Sequence, residues 1–314
     1  MPALITHHLF GEESIERLPA GLIEGDEDRI AFLIANQGPD PFFFRFSTPH
    51  VAACMRLGHV MHSGRVSRQL ACLRDGVSRL TPRDVSCGRA FALGLLSHYV
   101  LDRNAHPFVY SQQWGIQETD PALADAGGKV HAVIESDLDV LMLQLKRGGA
   151  TVAEYPPAGE LVITDRVAKI AGTLMSYVAH GVYGLDVGAS EYGGAVANMQ
   201  LVYRAIEPAG APVSRALAGL EGLAGNYSLL GALAHPVTCE PPARTGNMGC
   251  LAWENPFTHD VSRESFPEVF DRALDDYAQA AARFIGGDDA AAITGHVNYS
   301  GRPLDATEEY DAEE

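Results

Sequence analysis

The chain has 314 residues, of which 46% are hydrophobic and 20% are charged, a composition typical of a folded protein with a sizeable core. Its formal net charge of −17 argues against a protein that binds long nucleic acids, because recognition of a phosphate backbone needs a basic surface. A small substrate that carries a phosphate is still compatible with this charge, since bound metal ions would invert the local field.

The cysteine pattern and the amino-terminal sequence bear on the cellular environment. Five cysteines occur at wide spacing without a CxxC motif, which predicts buried reduced thiols rather than a disulfide framework or a cysteine zinc site. The start, MPALITHHLFGEES, lacks the basic and long apolar stretches of a secretory signal. No apolar run reaches the ~20 residues of a membrane helix. We therefore expect a soluble, cytoplasmic protein without a transmembrane segment.

The periodic segments predict helices. The first opens at Thr48-Pro49, and the second opens at Thr81-Pro82-Arg83-Asp84, a good helix start followed by a stretch that is apolar on nearly all sides. This second helix should therefore be central and buried. A third is predicted over residues 129–145, before a pair of glycines. Further helices are predicted over residues 164–182, 195–206, 212–223 and 265–284, the last opened by a capping box at Ser265.

The remaining segments show few signals for β-strands. Residues 150–161 and 239–264 are rich in proline, glycine and asparagine, as loops are. After the glycine pair at 286–287 the chain is polar and ends in TEEYDAEE. The sequence therefore predicts an all-α protein with one multi-helix domain over residues 1–286 and a flexible acidic tail over residues 287–314.

One helix carries polar residues at a spacing suited to metal binding. His98, Asp102 and His106 form an H-x3-D-x3-H motif, and His131 and Glu135 form a second pair of the same spacing on another helix. Residues four apart share a helix face, so each set projects together. Buried in an otherwise apolar helix, such groups would cost several kcal/mol unless they are hydrogen-bonded or metal-bound. A structural hydrogen-bond network and a zinc site with Asp102 as the bridging carboxylate are both open from spacing alone.

Three more residues are candidates for the same site. His62 lies on the helix after Thr48, and His7 lies near the amino terminus. Asp40 lies in the turn QGPDP, where two prolines and a glycine can hold its carboxylate in place without a helix. The other histidines lack such company and are predicted to be surface or supporting residues: His8, His50, His59, His180, His235, His259 and His296.

The ordered set of these eight residues resembles the zinc-dependent phospholipase C family, which shares its helical fold with the single-strand-specific zinc nucleases. The phrases QGPDPFF, LSHYVLDRNAHPF and HAVIESDLD carry the resemblance over about residues 1–140. Later, the sequence WENP at residues 253–256 followed by Ser265-Phe266 is also similar to a family feature.

The resemblance implies a cofactor of two or three zinc ions per chain, Zn²⁺, with a division of the ligands. It implies one zinc held by Asp40, His62, His98 and Asp102, a second held by His106, His131 and Glu135, and a third between His7 and Asp102. In the secreted relatives a processed amino-terminal tryptophan completes the third site, and this chain has no tryptophan there. We hypothesise that removal of Met1 would expose the amine of Pro2 as a replacement.

The resemblance also implies a metal-dependent phosphoric ester hydrolase in which water attacks phosphorus in line. Asp40 would orient or deprotonate that water. The expected substrate is a small phosphate ester or a phospholipid, with nuclease-like or phosphatase-like activity on another phosphate ester as an alternative. The aromatic run at residues 42–46, beside Asp40, either belongs to the core or lines an apolar substrate pocket.

Other classes of protein remain as alternatives. A non-catalytic zinc-binding protein would use the same ligands with no open coordination position. A metal-free helical interaction protein would bind no stoichiometric zinc. A ferritin-like di-iron protein needs E-x-x-H motifs, which the sequence lacks. A histidine–aspartate phosphohydrolase needs an adjacent ligand pair in its core, and the only such doublet is His259-Asp260, in a predicted loop.

Overall fold

The computed structural model describes residues 3–212 and 229–310, and this part of the chain is built from twelve α-helices. They are α1 (Leu4–Glu16), α2 (Asp26–Ala35), α3 (Val51–Ser63), α4 (Val66–Ser78), α5 (Val85–Thr119), α6 (Gly127–Lys146), α7 (Asp165–Tyr183), α8 (Glu191–Ile206), α9 (Leu229–Leu233), α10 (Phe266–Gly286), α11 (Ala290–Thr294) and α12 (Ala306–Tyr310). Three short 3-10 helices span Asp40–Phe44, Pro121–Leu123 and Pro157–Gly159. Two strands, β1 (Trp253–Glu254) and β2 (Val261–Ser262), pair antiparallel. The predicted all-α fold is confirmed.

Helix α5 is the centre of the fold. It is 35 residues long, and most of its residues between Cys87 and Val109 are buried, as the apolar sequence predicts. Helices α2 and α10 pack along it, and α1, α4 and α6 also contact it. Among the elements that carry the other metal-ligand candidates, α1 and α6 contact α5 directly, α3 packs against α4, and the 3-10 helix of Asp40 packs against α3 and α8.

Several predicted helix ends are confirmed by their capping groups. The Thr164 side chain accepts from the backbone of Val167 at the start of α7, and the capping box of Ser265 and Glu268 opens α10. The sequence did not predict α1, α2 or α4, whose apolar positions are interleaved with charged or polar residues. Most of the helix predicted over residues 212–223 lies outside the described residues.

The packed part of the chain extends beyond residue 286, where the sequence predicted the domain to end. Tyr299 is fully buried, and Glu309 is 1% exposed. The carboxylate of Glu309 accepts from the backbone N–H of Ser67 at 3.0 Å, in the first turn of α4. This segment was predicted to be a tail because it is short and polar, but its few apolar groups dock between α3, α4 and α5. The last four residues, 311–314, lie outside the described part.

The cysteine prediction is partly wrong. All five cysteines are free, and Cys54 and Cys87 are buried, but Cys239 and Cys250 are exposed. The exposed pair lies within the long connection between α9 and α10, most of which is exposed. None of the helices within residues 3–212 and 229–310 combines the length and the apolarity needed to cross a bilayer.

Candidate metal centre

The fold brings the eight predicted ligand residues together from five elements. His7 is in α1, Asp40 opens the first 3-10 helix, and His62 lies one residue before the end of α3. The motif on α5 supplies His98, Asp102 and His106, and α6 supplies His131 and Glu135. All of them are buried except His62, whose side chain is 19% exposed.

Asp102 lies in the middle of the cluster. Its Oδ1 is 3.1 Å from Nε2 of His7, and its Oδ2 is 3.3 Å from Nε2 of His98. The same Oδ2 is 3.8 Å from Nε2 of His62 and 3.8 Å from Nδ1 of His106. One carboxylate therefore has four imidazoles as neighbours, the arrangement expected of a bridging ligand.

The other two carboxylates lie on opposite sides of Asp102. Asp40 Oδ1 is 3.1 Å from Nε2 of His62. Glu135 Oε1 is 3.1 Å from Nε2 of His131 and 3.5 Å from Nε2 of His106. The cluster thus has one side built around Asp40 and another built around Glu135, with Asp102 between them.

Three groups of side chains in this cluster can hold a metal ion, with ligand atoms within 4.8 Å of one another in each group. The groups are His106, His131 and Glu135; His62, His98 and Asp102; and His7, Asp40 and His98. The first group has the same members as the second zinc site that the resemblance implies. The other two share His98, so the remaining ligands form one continuous set rather than two separate sites. Pro2 lies outside the described residues.

The second nitrogen of four imidazoles is fixed by an acceptor on the far side of the ring. Nδ1 of His62 lies 2.6 Å from the Gly58 carbonyl oxygen, and Nδ1 of His98 lies 2.8 Å from the Asn36 carbonyl oxygen. Nδ1 of His106 lies 2.8 Å from the carbonyl oxygen of Tyr299, and Nδ1 of His131 lies 2.9 Å from the side-chain oxygen of Gln113. Because these oxygens only accept, each Nδ1 carries a proton and donates.

These hydrogen bonds leave the Nε2 atoms directed into the cluster. In a neutral imidazole whose Nδ1 is protonated, Nε2 has only a lone pair, which cannot bond to a carboxylate oxygen. The approaches to carboxylates at 3.1–3.5 Å therefore require a cation at each pair, either a second ring proton or a metal ion. The rings of His7 and His98 stack with centroids 4.1 Å apart, which disfavours two protonated rings. Metal ions shared between the ligands satisfy both observations, and outer hydrogen bonds of this kind typically orient metal-bound histidines.

The carboxylates remain ionised in this setting. Burial alone would raise the pKa of Asp102, but the adjacent His106 and His98 rings hold that pKa well below its usual range. The pKa of Glu135 is also lowered, since the His131 ring outweighs the effect of burial. Burial would also raise the pKa of Asp40, but the nearby His62 ring outweighs burial and keeps this pKa lowered. The cluster therefore presents three negative charges to whatever cation it holds.

The pKa values of the imidazoles shift in both directions, because burial and the neighbouring carboxylates act against each other. Burial lowers the pKa of His7, with a further contribution from the neighbouring His98, and burial lowers the pKa of His131. Burial also acts on His106, but the Asp102 carboxylate outweighs it and raises the pKa of His106 to about 9. The field of Asp102 thus favours positive charge beside it, as a proton or as a metal ion.

Several buried polar atoms at the cluster lack a hydrogen-bond partner in the described part of the chain. They include Asp40 Oδ1, His98 Nε2, His7 Nδ1 and Thr6 Oγ1. Such atoms cost free energy unless something else binds them. A cavity of about 20 Å³ is lined by Thr6 together with residues from both sides of the cluster, His7, Asp102, His106 and Glu135. It is large enough for a single water molecule or an ion, so the donors and the space both fit a metal centre.

Gly38 permits the close packing of His98. It has φ +55°, and a Cβ atom there would lie 2.2 Å from the His98 ring. Only glycine adopts this backbone without strain and leaves room for the ring. The turn predicted to be rigid therefore has a second role, because it forms the wall against which His98 rests beside Asp40.

An open cavity of about 500 Å³ adjoins the cluster at His131. Its walls include Tyr110, Gln113, Asp125 and Lys129. The Tyr110 ring contacts Trp114 and Phe257, with centroids 5.7 Å apart in both pairs. At His131 the cluster thus borders a cleft that has polar, charged and aromatic groups.

The aromatic run beside Asp40 is mainly core. Phe42 and Phe44 are buried, whereas Phe46 is 54% exposed. Phe43 packs against the rings of His62 and His59, with centroids 5.8 Å and 4.8 Å away. It therefore packs against a candidate ligand, His62, rather than lining the open cavity.

The sequence missed the residues that support the cluster. Gln113 could have been found from its spacing, because it lies two helical turns beyond His106 on α5. The role of the Tyr299 carbonyl could not be found in this way, since a backbone group leaves no pattern in the sequence. His235 was predicted to be a surface or supporting residue; it is 1% exposed and bonds to Asp139, so the surface alternative is wrong. The sequence could not decide between the two alternatives, because the bond joins α6 to the segment after α9.

Comparisons with protein-family models, with curated proteins and with solved structures gave no match for this chain. The argument about function therefore depends on the geometry of the site. Buried histidine, aspartate and glutamate side chains that can hold metal ions lie beside an open cleft.

Proposed function

We propose that this protein is a metal-dependent phosphoric ester hydrolase, phospholipase C-like in its chemistry, with two or three zinc ions in the cluster. One observation carries the proposal. Four imidazoles have Nδ1 committed to oxygen acceptors, so their Nε2 lone pairs converge with three ionised carboxylates. Imidazole nitrogen and carboxylate oxygen are the donors that zinc prefers, and a shared carboxylate is the usual bridge between neighbouring zinc ions.

The charge of the cluster supports an anionic substrate. Two divalent ions against the carboxylates of Asp40, Asp102 and Glu135 would leave a small positive charge, and a third ion would increase it. When bound, the ions would supply Lewis acidity that makes water more acidic and offsets charge on the phosphoryl oxygens. This positive centre lies in a chain of net charge −17, so long polyanions would be repelled while a small phosphate ester could enter.

Hydrolysis would form a bond from the water oxygen to phosphorus and break the bond from phosphorus to the leaving oxygen. One water proton would end on the leaving alcohol, and the other would leave with the acidic phosphate product. Asp40 is suited to accept the first proton, because its Oδ1 has no hydrogen-bond partner in the described residues. Its lowered pKa keeps it ionised.

The cavities beside the centre support a substrate with both polar and apolar parts. The 500 Å³ cavity next to His131 shares Ala126 and Lys129 with a second cavity of about 450 Å³. The second cavity is lined mainly by apolar side chains, among them Ile116, Val130 and Val133. A phospholipid or another ester with an apolar group fits this pair of cavities better than a purely polar phosphate does.

The experiment compares hydrolysis of phosphatidylcholine, nitrophenyl phosphorylcholine and a single-stranded oligonucleotide by the zinc-loaded protein. We expect hydrolysis of at least one of the first two, its loss with a chelator and its return with zinc. His62→Ala should abolish it, whereas His59→Ala, three residues earlier on the same helix and exposed, should not. Stoichiometric zinc without turnover on any ester would instead identify a non-catalytic zinc-binding protein. Cleavage of the oligonucleotide alone would favour the nuclease-like alternative.

A further inference from the structure

A second buried ionic network lies directly beneath the first turn of α1. The Asp139 carboxylate is fully buried and accepts two backbone N–H groups, from Ile5 at 2.9 Å and from Thr6 at 2.7 Å. Amides in the first turn of a helix have no acceptor within the helix, and the helix dipole favours a negative charge there. Asp139 therefore anchors the backbone of α1 at its first turn.

Two further residues hold this carboxylate in place. Nε2 of His235 is 3.0 Å from Oδ2 of Asp139, and Nδ1 of His235 is 2.5 Å from Oε1 of Glu207. The backbone N–H of His235 also donates to Glu207 at 3.0 Å. Because both ring nitrogens face carboxylate oxygens, which only accept, the His235 ring carries two protons. The network is thus one cation between two carboxylates, completed by the amides of α1.

The anchor is built into the same helix face as two of the metal-ligand candidates. His131, Glu135 and Asp139 follow one another at intervals of four residues on α6, so all three project from one face. The anchored Thr6 directly precedes His7, whose Nε2 is 3.1 Å from Asp102. Because only one peptide unit joins Thr6 to His7, a displacement of the anchored turn would also move His7 relative to Asp102.

Stability alone does not account for this network. None of these three ionisable side chains is more than 7% exposed, so each carries a desolvation cost, and well-packed apolar residues of the same volume often give a protein equal or greater stability. Directional bonds to two consecutive amides, however, define the position and orientation of the helix end, as apolar contacts do not. The network is therefore suited to fixing the position of the first turn of α1, and the candidate metal ligand next to that turn is His7.

We propose that Asp139, oriented by His235 and Glu207, is a positioning residue of the metal centre that fixes the first turn of α1 so that His7 reaches the Asp102 carboxylate. The inference rests on the proposed metal-dependent function, because it assigns His7 to a metal ion. It adds residues outside the ligand set, and it predicts that one metal ion depends on them while the others do not.

The test measures zinc and cobalt(II) binding by competition with a chromophoric chelator in four proteins: wild type, His7→Ala, Asp139→Asn and the double variant. His7→Ala identifies the metal ion that depends on this ligand. Asp139→Asn keeps the side-chain size but replaces an acceptor oxygen with an N–H group facing an amide N–H. We expect affinity for the His7-dependent ion to fall roughly 10-fold to 100-fold, and the cobalt absorption of that site to change. Affinity for the other ions should stay within about twofold.

The double variant separates positioning from general destabilisation. If Asp139 acts through His7, Asp139→Asn should have little further effect on metal affinity in the His7→Ala background. Asp137→Asn is the matched control, because it lies on the same helix but bonds to the Thr245 hydroxyl at 2.8 Å. It should bind metal as the wild type does.

Three results would overturn the proposal: equal loss of all metal ions in Asp139→Asn, a full additional loss in the double variant, or unchanged affinities. If circular dichroism shows that Asp139→Asn is unfolded, His235→Gln is measured in the same way, and unchanged affinities there also overturn it. A wild-type protein that binds no metal would overturn the proposed function as well. A wild-type protein that binds zinc and cleaves phosphate esters, with a normal Asp139→Asn variant, would overturn the positioning role alone.

Discussion

Replacement of Asp102 by asparagine should remove metal ions from one side of the cluster and spare the other. The substitution keeps the shape of the side chain and removes the charge that four imidazoles share, at distances of 3.1, 3.3, 3.8 and 3.8 Å. The nearest of these are His7 and His98, which with His62 and Asp40 form the side that depends on Asp102. The group of His106, His131 and Glu135 has its own carboxylate.

The expected magnitude follows from the burial of this charge. Removal of one partner from a buried, paired charge typically costs about 3–5 kcal/mol. At 1.4 kcal/mol for each factor of ten, metal affinity on the dependent side should fall roughly 100-fold to 3,000-fold. On the Glu135 side the closest contact is Nδ1 of His106 at 3.8 Å, and this nitrogen already donates to Tyr299. We expect a loss there of about tenfold or less.

The assay is zinc per chain by elemental analysis, with dissociation constants from chelator competition. Asp102→Asn should retain about one zinc per chain at a chelator concentration that leaves the wild type fully loaded, and it should lose turnover. The control is Asp137→Asn on α6, which should match the wild type. The reasoning is refuted if Asp102→Asn keeps its full zinc content with affinities within about twofold of wild type, since Asp102 would then not be shared between ions.

Three further predictions concern single residues. Asp40→Asn should reduce kcat more than zinc content, because the variant keeps an oxygen ligand but cannot accept a proton; parallel losses would make Asp40 a plain ligand. Burial opposes protonation of His235, but its bonds to Asp139 and Glu207 raise its pKa to about 9, above its unfolded value. The contribution of protonated His235 to the free energy of unfolding is therefore present below pH ~6.5 and lost as pH rises through ~9. In urea unfolding, the stability advantage of the wild type over His235→Gln should shrink by about 3 kcal/mol across this range. An advantage that grows with pH would contradict this prediction. Thr6→Val should stabilise the chelator-treated protein by about 1 kcal/mol, or roughly 2 °C in Tm, because it removes a buried hydroxyl without a partner in the described residues. A Tm below that of the wild type in chelator would show that the hydroxyl is bound.

The fold was predictable where local signals agree. The central helix could be recognised from a long apolar stretch behind a capping sequence, and α10 from its capping box, because both depend on neighbouring residues. Helix α4 carries arginines among its apolar positions, and its amino-terminal turn is capped by Glu309 from the other end of the chain. A contact of that sequence separation leaves no mark on the helix sequence itself.

The candidate site was predictable where its residues share a helix. The spacing on α5 and α6 places Asp102 between His98 and His106 and pairs His131 with Glu135, as the structure has them. The convergence of His7, Asp40 and His62 on that face depends on tertiary packing, and only the family resemblance suggested it. The backbone acceptors that orient the rings, and the network of Asp139, Glu207 and His235, could not be predicted because they join elements far apart in sequence.

Anomalous diffraction at the zinc absorption edge, from crystals of the zinc-loaded protein, tests the central claim most directly, because it locates each ion relative to its ligands. We predict at least two anomalous peaks inside the cluster, one beside Glu135 with His106 and His131 and one beside Asp102 with His62 and His98. Neighbouring peaks should lie within about 3–6 Å of each other and about 2 Å from the ligand atoms. The account would be contradicted if the zinc peaks lay elsewhere on the protein at full occupancy, while the cluster held no peak and its side chains were hydrogen-bonded to one another.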